Sequence, residues 1–221
     1  MRKSFAIIGL GRFGGSVCQE LIKSDQEVLA IDNCEDRVNE YMNIATHAVV
    51  ANAQDEATLR SLGLRNFAHV IVAIGEDIQA SILVTLMAKE MGVPKITAKA
   101  QNEYHARVLD KVGADIVVHP ERDMGIRLGH KLTSNNMLDF IELSENYSLA
   151  EVMVTNKKFY NKTIEEINFR KHFNLTIVAI RRGKSELIVS PPANQLILEN
   201  DVLLVVGQND DVDYLDEKLN K

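Results

Sequence analysis

Cysteine is scarce: Cys18 and Cys34 are the only two in 221 residues, and they have neither metal-ligand spacing nor the number for a disulfide framework. A reducing, cytoplasmic setting is the expectation that follows. Long hydrophobic runs are missing too. The longest apolar stretches, such as Val202-Leu203-Leu204-Val205-Val206, are the size of a strand and far short of a bilayer span. The amino terminus, Met1-Arg2-Lys3-Ser4, fits no secretory signal and runs straight into a strand pattern. Basic charge is in deficit, with 25 Lys and Arg against 31 Asp and Glu and a formal net charge of −6. With no basic helix or helix-turn-helix signature to offset it, that balance argues against a chain whose main work is gripping DNA or RNA. Catalytic signatures are absent as well: there is no Cys/His nucleophile pair, zinc spacing or G-x-S-x-G elbow. Internal repeats and low-complexity segments are also lacking.

What remains is a packed chain, 46% hydrophobic and 25% charged, with length for one large domain and a small one. Its first half alternates short β-rich runs with amphipathic helical stretches. Strands are expected over 5–8, 27–31, 47–50, 70–74, 95–98 and 115–118, and helices over 13–23, 35–43, 55–62, 76–91 and 103–112. Strands that are nearly all apolar and alternate with helices indicate a parallel sheet covered on both faces, here with the strand count of a complete dinucleotide-binding fold. A further helix over 121–132 starts behind Pro120, and the polar run Thr133-Ser134-Asn135-Asn136 marks the domain boundary. Beyond it the rhythm changes. Strands are expected over 149–154, 175–181, 186–189 and 202–206, with a hairpin turn around Gly183 and a bend at Pro191-Pro192. A short helix over 164–169 and a terminal helix over 211–219 complete that part. The fold class is α/β: a Rossmann-type doubly wound parallel sheet over 1–135, then a small α+β domain over 136–221.

Gly9-Leu10-Gly11-Arg12-Phe13-Gly14 matches G-x-G-x-x-G, a weak signal alone. Here it follows a strand, opens a helix and precedes a second strand ending in Asp32, 18 residues past Gly14. That context is the fingerprint of a dinucleotide site. Gly9 permits the tight turn, Gly11 lets the backbone approach phosphates, and Gly14 lets helix and strand pack closely. The helix amino terminus supplies free N–H groups and the positive end of a dipole. Asp32 is placed to accept hydrogen bonds from ribose hydroxyls and to repel a 2′-phosphate. Arg12 is the unusual residue, because backbone donors alone satisfy a pyrophosphate. A guanidinium there suits the extra negative charge of the terminal phosphates of ATP or ADP. The second domain offers His172 beside Arg170 and Lys171, a cluster better suited to a solvated face than to a catalytic base. A nucleotide site without a visible catalytic partner reads as a sensor rather than an enzyme. A small NAD-dependent oxidoreductase stays open as the rival.

The residues Ala6-Ile7-Ile8-Gly9-Leu10-Gly11-Arg12-Phe13-Gly14, Val70-Ile71-Val72-Ala73-Ile74-Gly75, Lys99-Ala100-Gln101-Asn102 and Gly113-Ala114-Asp115 occur in order. They are followed by His119-Pro120-Glu121-Arg122-Asp123-Met124-Gly125. As a set they resemble the RCK (regulator of potassium conductance) family, above all the cytosolic regulatory subunits of Ktr-type bacterial potassium uptake systems. The resemblance covers nearly the whole chain, as an RCK amino-terminal domain followed by an RCK carboxy-terminal domain. Trk-type relatives carry two Rossmann halves per chain and this chain has one. An RCK subunit of another cation transporter is the remaining alternative.

The resemblance implies a protein peripheral to the membrane, in which homodimers assemble into an octameric ring beneath a membrane potassium-channel subunit. ATP or ADP, with NAD as the alternative, would switch that ring. By position, Gly9, Gly11, Arg12, Phe13 and Gly14 would meet the phosphates, and Asp32 the ribose with Asn33 beside it. Asn52 and Ala53 would lie near the adenosine, Ile74 and Gly75 beside the phosphate turn, and Lys99 would add positive charge. Glu121 would face a dimer interface where family members place a divalent cation. In the second domain, relatives bind cyclic di-AMP between two copies. The matching residues here are Ile164, Arg170, His172, Asn174, Leu175, Ile177 and Pro191.

Overall fold

The computed structural model describes residues 2–133, 136–144, 146–183 and 185–219. Six strands build its first sheet: β1 (Ser4–Ile8), β2 (Glu27–Asp32), β3 (His47–Val50), β4 (His69–Val72), β5 (Ile96–Lys99) and β6 (Ile116–Val118). All pair in parallel, in the order β3-β2-β1-β4-β5-β6, so the strand order reverses between β1 and β4. In such sheets the crevice at the reversal, beyond the carboxyl ends of the strands, is where ligands bind. Successive strand residues face opposite sides, and both sides are filled. Ala6, Ile8, Leu29, Ile31, Val70 and Val72 enter one core, while Ile7, Val28, Ala30 and Ile71 enter the other. Helices α1 (Arg12–Lys23) and α2 (Glu35–Asn39) close the second core through Cys18 and Val38, with Tyr41 from the turn after α2. Helices α3 (Glu56–Ser61), α4 (Ile78–Glu90) and α5 (Glu103–Lys111) close the first through Leu59, Val84, Met87 and Leu109.

Two helices are shorter than their periodicity predicts. Helix α2 stops at Asn39 rather than 43, because the next N–H groups bond three residues back, Tyr41 to Val38 and Met42 to Asn39. Helix α4 starts at Ile78 rather than 76, because Asp77 is its cap and accepts the Ala80 N–H at 2.9 Å.

The second unit holds α6 (Pro120–Thr133), β7 (Met137–Ser144), β8 (Tyr147–Met153), β9 (Lys162–Thr163), α7 (Ile164–Ile167) and α8 (Phe169–Phe173). After these come β10 (Thr176–Arg182), β11 (Glu186–Val189), β12 (Leu196–Ile197), β13 (Val202–Gln208) and α9 (Asn209–Leu219). Five strands form an antiparallel sheet in the order β11-β10-β13-β8-β7, and β12 pairs with β9. One face of the sheet, with Ala150, Val152, Ile180, Leu203 and Val205, packs on Ile167, Phe169, Phe173, Val212 and Leu215 of the helices. The expected turn at Gly183 has the left-handed backbone such a hairpin needs, with φ +61°. The expected single helix over 164–169 is two helices, split by the left-handed Asn168 at φ +51°. Strand β7 and the two-residue strands β9 and β12 are unexpected additions.

By compactness the chain divides into 1–121 and 122–221. The sequence places the boundary after 135; Ser134 and Asn135 of that boundary run lie outside the described residues. Most of α6 belongs with the second unit because Arg127 forks Asp139 of β7. A second fork, Arg182 on Asp201, anchors β10. The Asp201 side chain is 1% exposed and also accepts the Leu198 N–H at 2.8 Å. Removing Arg182 leaves that carboxylate buried without its counter-charge. Arg182→Ala should therefore cost about 3 kcal/mol, read as a lowered denaturation midpoint of the full chain, whereas the exposed Arg60→Ala should cost less than about 0.5 kcal/mol.

Candidate functional site

The turn between β1 and α1 is built by three glycines with different duties. Gly9 sits at φ +97°, and a side chain there would press on the Ala73 backbone at 2.9 Å. Gly14 has no room for a Cβ, which would run into the Gly9 carbonyl oxygen and lie 2.8 Å from the Ala73 side chain. Gly11 differs: its φ is −67°, open to any residue, and a Cβ there would meet nothing within 4 Å. That free space lies at the amino terminus of α1, whose first turn carries no acid and whose Gly11 cap contributes no side-chain hydrogen bond. Unengaged N–H groups and the positive dipole end meet there, an arrangement suited to an anion.

A cavity of about 440 Å³ opens in front of this turn. It is lined by Gly9, Gly11, Arg12, Phe13, Asp32, Asn33, Asn52, Ala53, Ile74, Gly75, Lys99 and Glu121, so these expected residues share one crevice. Gly14 is not on its wall and instead lets α1 seat against β1 and Ala73. Arg37, Gln54, Glu76 and Asp77 also line it and were not anticipated. Arg37 sits five positions beyond Asp32, where only the short first turns of α2 bring it back to the strand end. Asp77 also caps α4.

Asp32 is buried and held from three sides. Its two oxygens accept the Leu10 N–H at 2.7 Å and the Cys34 N–H at 2.9 Å, and the Arg37 guanidinium lies 3.5 Å away. The carboxylate thus clips the glycine turn to the end of β2 and retains lone pairs for hydroxyl donors. At the other end of the crevice, the Lys99 ammonium is bonded to the Glu121 carboxylate and lies 6.0 Å from the centre of the Phe13 ring. The hydrogen bond from Lys99 holds the Glu121 carboxyl below the usual range, with lesser help from the charges of Lys99 and Arg12. Gln101 braces the neighbouring loop: its side-chain amide donates to the Gly75 carbonyl, and its backbone N–H donates to Nδ1 of the buried His105. Among the described residues no three His, Cys, Asp or Glu side chains cluster as a metal site. Cys18 is core, its thiol pushed up to about 11 by burial, and is no nucleophile.

The residues expected around a second ligand are dispersed by role. Arg170 and His172 are exposed on α8, and His172 donates from Nδ1 to the Ile167 carbonyl at 2.7 Å. Asn174 has a left-handed backbone, and its amide donates to Asp211 at 2.9 Å. Ile164, Ile177 and Pro191 are half-buried, but the Leu175 side chain lies in the core, against Gly207. A separate groove of the second unit, about 460 Å³, runs between α6 and β7 and touches none of these seven.

A doubly wound parallel sheet with a glycine-turn crevice at its reversal point, followed by a small antiparallel-sheet domain, defines a Rossmann-type two-domain chain. Residues 5–120 match the TrkA-N domain and residues 149–220 the TrkA-C domain. The chain belongs to this family, in which the Ktr-system potassium uptake proteins are its relatives. It is 53% identical to Ktr system potassium uptake protein C of Bacillus subtilis, over 99% of this chain and 98% of the relative. Identity to protein A of the same system in Bacillus subtilis is 49%, covering 95% and 94% of the two chains. The Vibrio alginolyticus protein A is 41% identical, with 94% of each covered. Among solved structures, a GsuK channel bound to NAD superposes with a TM-score of 0.68 at 20% identity, over all of this chain and 40% of the channel. That likeness is one of fold. No helix among the described residues is long and apolar enough to cross a membrane.

The two kinds of glycine make a direct test. Gly11→Val should abolish nucleotide binding in titration calorimetry and leave the melting temperature near that of the parent, because the space it fills is outside the protein's own packing. Gly14→Ala should do the reverse first, costing about 1–3 kcal/mol of stability from overpacking. Undiminished binding by Gly11→Val would remove the phosphates from this turn.

Proposed function

We propose that this chain is a nucleotide-sensing regulatory subunit that gates a Ktr-type membrane potassium channel or transporter, rather than an enzyme. One observation carries the reading: a crevice whose glycine turn leaves open space at a helix amino terminus, with Arg12 and Lys99 at the same end. Relatives of full length at about half identity are potassium uptake proteins.

ATP or ADP is the ligand this charge pattern favours over NAD. The α1 N–H groups receive the inner phosphates, Asp32 the ribose, and Arg12 and Lys99 the outer phosphates, which supply negative charge where NAD would place its nicotinamide half. Lys99 is already committed to Glu121, so outer phosphates compete with the Glu121 carboxylate for one ammonium. Each additional phosphate strengthens that competition and frees Glu121. The freed carboxylate, one per chain, would then hold a divalent cation together with a second copy and the phosphates. A ligand moves an assembly only through unequal affinity for its two shapes, and the outer phosphates supply the inequality between ATP and ADP.

Self-association into homodimers and then an octameric ring is the assembly we infer. Two separate apolar surfaces support it. Met124, Leu128 and Leu132 form an exposed stripe at i, i+4 and i+8 of α6, and exposed Leu83 and Leu86 of α4 and Tyr104 and Val108 of α5 form another. A ring of dimers needs two different contacts per chain. The subunit is cytoplasmic and meets the membrane through the channel subunit.

Cyclic di-AMP is the second ligand, bound between two carboxy-terminal domains. Arg170 and His172 supply exposed donors for its phosphates, and Ile164, Ile177 and Pro191 apolar surface for adenine. Leu175 contributes only by shaping the core beneath. Calorimetry of the full chain should show cyclic di-AMP binding weakened at least tenfold in Arg170→Ala; binding unchanged in that variant would take the ligand elsewhere.

Gating is tested with proteoliposomes that hold a Ktr-type channel subunit. Potassium flux should be greater with the ATP-loaded protein than with the ADP-loaded protein. Equal flux with both, and with no protein added, would overturn gating even where both nucleotides bind tightly.

A further inference from the structure

Arg37 lines the crevice beside Asp32, at the end of β2, and its hold on the fold is loose. Its guanidinium is 3.5 Å from Asp32, long for a charge-assisted hydrogen bond, and its side chain is 50% exposed against 4% for Asp32. Asp32 is satisfied without it, since each carboxylate oxygen already accepts a backbone N–H, from Leu10 and from Cys34. Helix α2 thus carries a planar cation to the cavity wall and leaves it half in solvent. Beside it the wall mixes the small apolar side chains of Ala51 and Ala53 with Asn33, Asn52 and Gln54, and the Ala51 N–H is bonded to the Asp32 backbone carbonyl at 2.9 Å. A flat aromatic ring finds there small apolar side chains and a guanidinium plane, the two surfaces that a base stacks on without reading its edge.

We propose that Arg37 is a base-binding residue that stacks on the purine, so that the crevice holds base and phosphates with separate cations. The proposal rests on the nucleotide reading of the crevice and adds a division of labour to it. Arg12 and Lys99 respond to the number of phosphates. Arg37 contributes equally to AMP, ADP and ATP, because the base is common to all three.

Calorimetry of the full chain with AMP, ADP and ATP separates these roles. Arg37→Ala should weaken all three by one common factor of about tenfold, while Arg12→Ala should weaken ATP more than AMP. Arg37→Lys should bind no better than Arg37→Ala, since an ammonium carries the charge without the plane. Should the alanine variant melt early, Arg37→Met keeps the stem and gives the same comparison. Unchanged affinity in Arg37→Ala, a loss that grows from AMP to ATP, or full restoration by lysine would each overturn the stacking role and leave the crevice a nucleotide site. Failure of the parent protein to bind any of the three would overturn the nucleotide reading and this proposal with it.

Discussion

The crevice depends on one close approach: the α-carbon of Gly14 against the Gly9 carbonyl and Ala73, where a single methyl group has no place. Only that contact lets α1 begin hard against the carboxyl end of β1 with its amino terminus facing the reversal point of the sheet. The Asp32 carboxylate then fixes the turn from the other side through the Leu10 N–H. Space at Gly11 is a consequence: once Gly9 and Gly14 have set the curve, the middle glycine is left facing outward, with nothing of the protein near it. The same three residue types thus divide into two that serve packing and one that serves whatever enters.

Charge in the crevice follows a similar economy. Its acids and bases are coupled in part before any ligand arrives, Lys99 to Glu121 and Arg37 to Asp32. The two pairs differ in kind. Asp32 is buried and satisfied by backbone donors, so its arginine is loosely held. Glu121 is exposed and bonded to a Lys99 whose side chain is only 11% exposed, so there the cation is the fixed member and the acid the movable one. At the Lys99 end the cation is already bonded to a carboxylate, whereas at the Arg37 end the guanidinium faces solvent on one side. The chemistry of the two ends is therefore unequal before function is considered.

Much of the first unit was legible because its signals are local. Strand composition, the glycine spacing and Asp32 each follow from backbone demands that act within a few residues, and the sheet order came out as six parallel strands with the reversal at β1 and β4. What the sequence hid are residues whose place is set by the fold. Arg37 and Gln54 carry no motif, and reach the crevice only because α2 and the segment after β3 lie beside it. In the second unit, strand β7 escaped notice because Asp139 and Glu142 interrupt its alternation, and Asp139 is tolerated through the Arg127 fork. The split at Asn168 depends on one left-handed residue inside an otherwise helical pattern. Leu175 is a ligand contact only by its position in the resemblance; its side chain, just ahead of β10, is fully buried against Gly207.

These two modes of placement bear on how a sensor of this form is built. Two glycines of the turn, Gly9 and Gly14, cannot take a side chain without disturbing the packing, whereas Gly11 can, so the curve of the turn is tied to the fold and its free space is not. The charged groups around it, Arg12, Arg37 and Glu121 on helices and Lys99 at the end of β5, lie outside both cores of the first unit. Ligand preference is thus free to shift among chains with one backbone, because it rests on partly exposed side chains whose replacement costs little stability. Identity of fold with a channel that binds NAD is for that reason no guide to which nucleotide this crevice prefers.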